Sequence, residues 1–314
     1  LCRNFHALGA LAAVVDATEN GQATARTLAP DAIISDNFDD ILGDDQIQGI
    51  ALATPAETHA DLAIQAMRAG KDVFVEKPMA LSISDAGEMQ KVALETDRIL
   101  MVGHLLEYHP AVLKLREMIA SGELGKINYI YSNRLNFGKV RTEENALWSF
   151  APHDVAVILR LLGQSPIEVS ASGGSYLTRD ISDITVSNIR FSDNSRAHIF
   201  VSWLHPYKEQ RLVVVGNKKM AIFNDVNPFG EKLCIYPQSV EFEGTLPILK
   251  KEDAEFIKHA DTEPLREECA HFLECMKSRK SPLTDAQSGI EVLKVLNACQ
   301  ASIEKNGAPV SLRN

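Results

Sequence analysis

The chain has 314 residues, of which 45% are hydrophobic and 24% charged, so it is neither a disordered polymer nor a minimal module that needs staples. At roughly 100 to 200 residues per domain, two domains are expected. Lys and Arg number 32 against 42 Asp and Glu, giving a net charge of -10 and a pI near 5.4. Such a balance lacks the basic footprint of a nucleic-acid partner, although a local basic patch is compatible with a small phosphorylated ligand.

Cys2, Cys234, Cys269, Cys275 and Cys299 are scattered, with no CxxC or Cys/His spacing of zinc type. They read as free thiols in a reducing compartment, and no metal is expected. Arg3 followed by Ala7 to Val15 loosely imitates a signal peptide, but Asp16 closes the run. No stretch reaches the ~18 apolar residues of a membrane span. A cytoplasmic protein without a membrane partner is expected.

Leu1, Phe5 and Leu8 have the spacing of a helix face, so the chain opens inside a helix. Ala10 to Val15 reads as a strand ending at Asp16. Ile50 to Ala53 is a second apolar run, closed by Thr54-Pro55 and followed by a helix over Ala60 to Ala69. Asp72 to Val75 is a third strand, ending in Glu76-Lys77-Pro78. Ser84 is placed as the cap of a helix through Ala93, and Ile99 to Val102 is a fourth strand. Strands alternating with helices of this length call for βαβ units and a parallel sheet with ligands at its carboxyl edge. Nothing before Leu1 supplies a first, central strand. Either upstream residues exist, or the sheet is compromised.

From about Pro110 the texture changes. Ala111 to Ala120 reads as a helix, Lys126 to Leu135 as a strand, and His153 to Leu162 as a helix. Alternating runs follow at Ile167 to Ser172, Ile184 to Phe191, Arg196 to Trp203, Arg211 to Val215 and Met220 to Asn224, separated by turn signals that suggest antiparallel hairpins. Helices over Pro264 to Ser278 and Asp285 to Lys305 close the chain. The fold class is therefore α/β: a parallel-sheet region whose first strand is missing, then an α+β region with an open, mostly antiparallel sheet.

The glycine fingerprint of dinucleotide-binding folds is absent, but Asp16 stands where the acid that binds the adenosine ribose would follow it. The alternative is a solvated turn residue. Thr54, Pro55 and His59 lie between a strand and a helix, where they either line a ligand or cap the helix. Lys77 ends an apolar strand, within reach of a ligand hydroxyl, or is an exposed lysine before a loop proline that can be cis. His153 is placed at a helix start, where the dipole disfavours its protonation and keeps it available as a base; a buried structural histidine is the other reading.

Ala53-Thr54-Pro55, Glu76-Lys77-Pro78 and Ala151-Pro152-His153-Asp154, in this order, resemble the Gfo/Idh/MocA oxidoreductases, and the resemblance covers essentially the whole chain. It implies a Rossmann domain for NAD, with NADP possible, over residues 1–108. A substrate-binding and oligomerisation domain would occupy residues 109–314, its sheet facing partner subunits in a homodimer or tetramer. It also implies hydride transfer at a sugar or polyol carbon, with Lys77 and His153 catalytic and Asp16, Thr54, Pro55, His59, Glu76 and Lys77 at the cofactor. Many members have an Asp four residues before the histidine; here that position is Ser149, which places more of the proton handling on His153 and Lys77.

Tyr108-His109-Pro110-Ala111, Asn133-Arg134-Leu135-Asn136 and Asn145-Ala146-Leu147-Trp148 resemble the members that oxidise UDP-N-acetylglucosaminuronate at C3. On that resemblance Tyr108, Arg134, Asn136, Arg141, Trp148 and Asp154 face the substrate. The guanidinium forks of Arg134 and Arg141 suit a diphosphate or carboxylate, unless both serve structural ion pairs. A free sugar or inositol-type polyol is the alternative substrate, and a member that no longer binds the dinucleotide is the alternative protein.

Overall fold

A computed structural model describes residues 1–313. Contacts divide the chain into two compact units, Leu1–Tyr108 with Thr262–Ile290, and His109–Asp261 with Glu291–Asn314.

In the first unit, helix α1 (Cys2–Ala7) leads into β1 (Ala13–Val15), α2 (Glu19–Leu28), β2 (Ile33–Ser35), α3 (Phe38–Leu42), β3 (Gly49–Leu52), α4 (His59–Arg68), β4 (Asp72–Glu76), α5 (Ile83–Thr96) and β5 (Leu100–Gly103). Among the described residues, β1 and β2 form one parallel ladder and β3, β4 and β5 another. Strand β4 is central in its ladder, and Val73, Phe74 and Val75 are fully buried. A continuous apolar run is what a strand covered on both faces requires. The cap of α5 is Ser82 and not Ser84, because the Ser82 hydroxyl accepts the Asp85 N–H at 3.0 Å and the helix is already formed at Ile83.

The second unit begins with α6 (Pro110–Ala120), β6 (Ile127–Phe137) and α7 (Ala146–Leu162). It continues through β7 (Glu168–Gly174), β8 (Ile184–Arg190), β9 (Arg196–Ser202), β10 (Leu204–Gly216), β11 (Met220–Asn224), β12 (Leu233–Tyr236), β13 (Gln238–Glu243), β14 (Leu246–Lys251) and β15 (Glu255–Phe256). Among the described residues, nine strands form one sheet in the order β15-β12-β11-β10-β6-β9-β8-β7-β16, where β16 is Val310–Ser311. Strand β6 pairs antiparallel with β10 and parallel with β9. Helix α7 lays its buried Leu147, Ala151, Val155 and Ile158, at steps of three and four, against β6, β8 and β9.

Three helices differ from the expectation. Helix α8 (Pro264–Ser278) packs with the first unit, not with the region after residue 108. There Phe272 meets Phe74 and Phe5 edge-on, at centroid distances of 5.9 and 6.3 Å. Helix α9 (Ala286–Glu304) begins in the first unit and continues into the second. Helix α7, in turn, starts at Ala146 rather than His153. Asn145 caps it by accepting the Trp148 N–H at 3.2 Å, and Pro152 lies inside the helix. His153 is therefore not at a helix N-terminus, and the dipole argument for its neutrality lapses.

Candidate active site

Register pairs Leu52 with Val75 and Val75 with Val102, so the chain leaves three adjacent parallel strands along one edge, at Leu52, Glu76 and Gly103. This is the carboxyl edge, where open α/β sheets take ligands. The Thr54 and Lys77 loops meet there through His59. Its Nδ1 lies 2.8 Å from the Pro78 carbonyl oxygen and its Nε2 lies 2.9 Å from that of Thr54. At 1% exposure, with a carbonyl at each ring nitrogen, His59 braces the two loops instead of offering a nitrogen to a ligand. The Thr58 hydroxyl, 2.8 Å from the Thr54 hydroxyl and from the Pro55 carbonyl, closes the first loop on itself. Thr54 and Pro55 remain exposed, and the Lys77–Pro78 peptide is cis.

The Glu76 carboxylate accepts the Lys77 N–H at 3.3 Å. It lies over the end of β5, where a Cβ at Gly103 would stand 3.0 Å from Glu76 Oε2; glycine there leaves room for the carboxylate. At the end of β1, Asp16 accepts the Thr18 hydroxyl at 2.7 Å and the Thr18 N–H at 2.8 Å. Those two bonds hold its pKa below the ordinary carboxylate value. A Cβ at Gly21, in the first turn of α2, would collide with this carboxylate.

Tyr108, expected at the substrate, belongs to the first unit's core. It is 4% exposed, its hydroxyl lies 3.0 Å from Thr284 Oγ1, and burial pushes its pKa up. Its ring packs in the cluster of Phe5, Phe74, Met101 and Phe272.

In the second unit, Arg134 on β6 meets Asp154 on α7 side-on, with Nε 2.7 Å from Oδ2 and Nη2 3.1 Å from Oδ1. The Ser132 hydroxyl donates to the same carboxylate at 2.6 Å. Burial opposes the charge on Arg134, but Asp154 outweighs it and holds the guanidinium protonated. This pair is internal, so the fork expected to receive a diphosphate is closed on Asp154, and Asp154 in turn is not directed at a substrate. Arg141 is 39% exposed and pairs with Glu144 at 3.0 Å, leaving its guanidinium partly open to solvent. Asn136, Trp148 and His153 are half-buried. Lys77 belongs to the first unit and His153 to the second.

His109, quoted in the sequence only as part of a motif, caps α6. Its Nδ1 accepts the Ala111 N–H at 3.1 Å, which leaves the Nε2 proton directed at Asp225 Oδ1, 3.5 Å away. Burial pushes its pKa down to about 4, so the ring is neutral at pH 7. Two further residues escaped the sequence: Glu107, in the turn after β5, and Glu268, on α8, both buried. The signal for Glu268 was available, since it falls on the face of α8 that carries Leu265, Cys269 and Phe272, where a carboxylate is out of place. Among the described residues, no three His, Cys, Asp or Glu side chains are grouped to hold a metal ion, and no helix is long and apolar enough to cross a membrane.

Comparison with known proteins identifies the family of both regions. Residues 2–104 match the GFO/IDH/MocA model described as an oxidoreductase family with an NAD-binding Rossmann fold, and residues 112–222 match the GFO/IDH/MocA C-terminal domain. The chain is 28% identical over 222 residues to a 2,7-anhydro-N-acetylneuraminate hydratase of Mediterraneibacter gnavus, a match spanning 66% of this chain and only 59% of that protein. It is 26% identical over 306 residues to the NAD-dependent scyllo-inositol 2-dehydrogenase of Bacillus subtilis, covering 93% and 85% of the two chains. It is also 25% identical over 260 residues to the UDP-N-acetylglucosamine 3-dehydrogenase of Acidithiobacillus ferrooxidans, covering 82% and 80%. The solved structure of that dehydrogenase superimposes with a TM-score of 0.85 at 23% identity, over 97% of this chain and 93% of the other.

Proposed function

This chain belongs to the Gfo/Idh/MocA oxidoreductase family, and we propose that it moves a hydride between a secondary alcohol on a sugar ring and a nicotinamide cofactor. The observation that carries this reading is the braced carboxyl edge, where His59 ties the Thr54 loop to the turn that presents Lys77. The residues there fit a dinucleotide. The Asp16 carboxylate, anchored by Thr18, has lone pairs for two ribose hydroxyls and repels a 2′-phosphate, which favours NAD over NADP. Thr54 and Pro55 offer an exposed wall after β3, and Glu76 orders the backbone at Lys77. The bound nicotinamide supplies the hydride acceptor.

Oxidation of the alcohol needs a group to take the hydroxyl proton as hydride leaves. In our reading His153 accepts that proton, and the Lys77 ammonium hydrogen-bonds the same oxygen as negative charge builds on it. Asn136, Trp148 and Arg141 are assigned to the sugar. Arg134 and Asp154 stiffen the junction of β6 and α7 behind them.

For the substrate we favour a nucleotide sugar such as UDP-N-acetylglucosaminuronate, oxidised at C3. Similarity to the UDP-N-acetylglucosamine 3-dehydrogenase supports this class, and Arg141 is the partly open guanidinium that suits its charge. An inositol-type polyol is the second reading, favoured by the closure of Arg134 on Asp154 and by the scyllo-inositol relative. We further propose a homodimer or tetramer in the cytoplasm, the assembly being measurable by light scattering.

The deciding experiment compares NADH binding and turnover on a panel of UDP-sugars and inositols for the wild type, Lys77→Ala and His153→Ala. Each variant should lose ~100-fold or more in kcat, and His153→Ala should keep its NADH affinity. Near-native turnover in both variants overturns the site. An intact chain that binds no NADH supports the non-catalytic reading.

A further inference from the structure

The first turn of α2 is wrapped around Asp16. Thr18, its N-cap, gives Asp16 Oδ1 both a hydroxyl and a backbone N–H, at 2.7 and 2.8 Å, and the same hydroxyl accepts the Gly21 N–H at 3.0 Å. Because the Thr18 oxygen accepts from Gly21, its own proton is committed to Asp16, and the three groups form one directed chain. The Gln22 side-chain amide donates to the Asp16 carbonyl at 3.0 Å, and the Asp16 N–H donates to the Ser35 carbonyl at 3.1 Å. The backbone under the carboxylate is thereby tied to α2 and to the end of β2.

Gly21 closes the remaining side. A Cβ there would stand 2.1 Å from Asp16 Cγ and Oδ2 and 2.3 Å from Oδ1, well inside any non-bonded contact. The Gly21 backbone is helical and outside the left-handed region, so no turn geometry calls for glycine. In a helix glycine is among the least favourable residues and alanine the most favourable. Position 21 thus holds the poorer residue for α2 and the one residue that admits the Asp16 carboxylate.

We infer that Gly21 is a positioning residue that sets the choice of dinucleotide: it leaves the space in which Thr18 seats the Asp16 carboxylate, and so favours a free ribose 2′-hydroxyl over a 2′-phosphate. This rests on the reading of Asp16 as the ribose acceptor. A side chain at 21 evicts the carboxylate from its seat, and moves away together the acceptor for a hydroxyl and the charge that repels a phosphate. Gly21 acts on the cofactor only through Asp16.

The test uses the full chain with Gly21→Ala, Asp16→Ala, the double variant, Thr18→Val and Thr18→Ser. Fluorescence titration follows NADH and NADPH, and the thermal midpoint is recorded without dinucleotide. Gly21→Ala should weaken NADH binding by roughly tenfold, leave NADPH binding nearly unchanged, and keep or raise the thermal midpoint. A glycine with a merely structural role does not give that combination. The double variant should bind NADH no more weakly than Asp16→Ala, since nothing is left to position. Thr18→Val should lose NADH affinity as Gly21→Ala does, and Thr18→Ser should retain it. A readout free of cofactor is hydrogen exchange of the Thr18 amide, which Gly21→Ala should accelerate by releasing its bond to Asp16. Unchanged exchange in Gly21→Ala overturns the proposal. If Asp16→Ala leaves NADH binding intact, the ribose assignment falls and takes this proposal with it. If Asp16→Ala weakens NADH but Gly21→Ala does not, or if the two losses add, the ribose assignment stands and the role of Gly21 is overturned. Should Gly21→Ala fail to fold, the Thr18 pair decides, and native NADH affinity in Thr18→Val overturns the proposal.

Discussion

Asp16, half-buried at the end of β1, is held in one orientation by its neighbour Thr18. Both hydrogen bonds from Thr18 go to the same oxygen, Oδ1, which leaves Oδ2, over Gly21, with its lone pairs free of Thr18. Glycine at position 21 keeps the space beneath it open. If the carboxylate receives the ribose of NAD, Asp16→Ala should weaken NADH binding by roughly tenfold while weakening NADPH binding little, since a hydroxyl acceptor and a phosphate repellent disappear together. Fluorescence titration with both dinucleotides measures the ratio. An unchanged preference would return Asp16 to the role of a turn residue.

At the level of elements, the parts governed by local periodicity were legible and the parts governed by side-chain pairing were not. Strand β4 announced itself as an unbroken apolar run ending in Glu76, and α8 runs over the residues its spacing and Pro264 indicate. Helix α7 starts two turns before His153, because Asn145 caps it and Pro152 is accommodated inside it. Arg134 and Asp154 lie 20 residues apart on different elements, and no pattern in the chain says that each is the other's partner. The legible portion of the site was likewise the strand-end motifs; that His59 bridges two of them depends on the curvature of the loops. The cap itself is open to test. Asn145→Ala removes the acceptor for the Trp148 N–H and the 2.8 Å bond to Gln300, and should cost about 1–2 kcal/mol. Asn145→Asp, which keeps a capping oxygen at the positive end of the helix dipole, should recover most of it. Urea midpoints at constant m-value provide the comparison.

For the molecule as a whole, the return of the chain into its first unit sets what must be synthesised before that unit can fold. Phe272 arrives from α8, more than 150 residues after β5, and completes an edge-on triad with Phe5 and Phe74. Both tryptophans, Trp148 and Trp203, lie in the second unit, and Trp203 is fully buried there. Tryptophan emission therefore follows the second unit, while far-UV circular dichroism follows both. Phe272→Ala removes a ring that is 2% exposed from a packed cluster, a change that typically costs about 3–5 kcal/mol. That loss is a large share of a domain's usual margin of roughly 5–15 kcal/mol. In urea the variant should lose circular dichroism in an early phase that tryptophan emission does not register, followed by a second phase seen by both probes. Coincident transitions at a lower midpoint would instead mean that the two units unfold as one cooperative body, and that the triad stabilises the entire chain rather than the unit in which it sits.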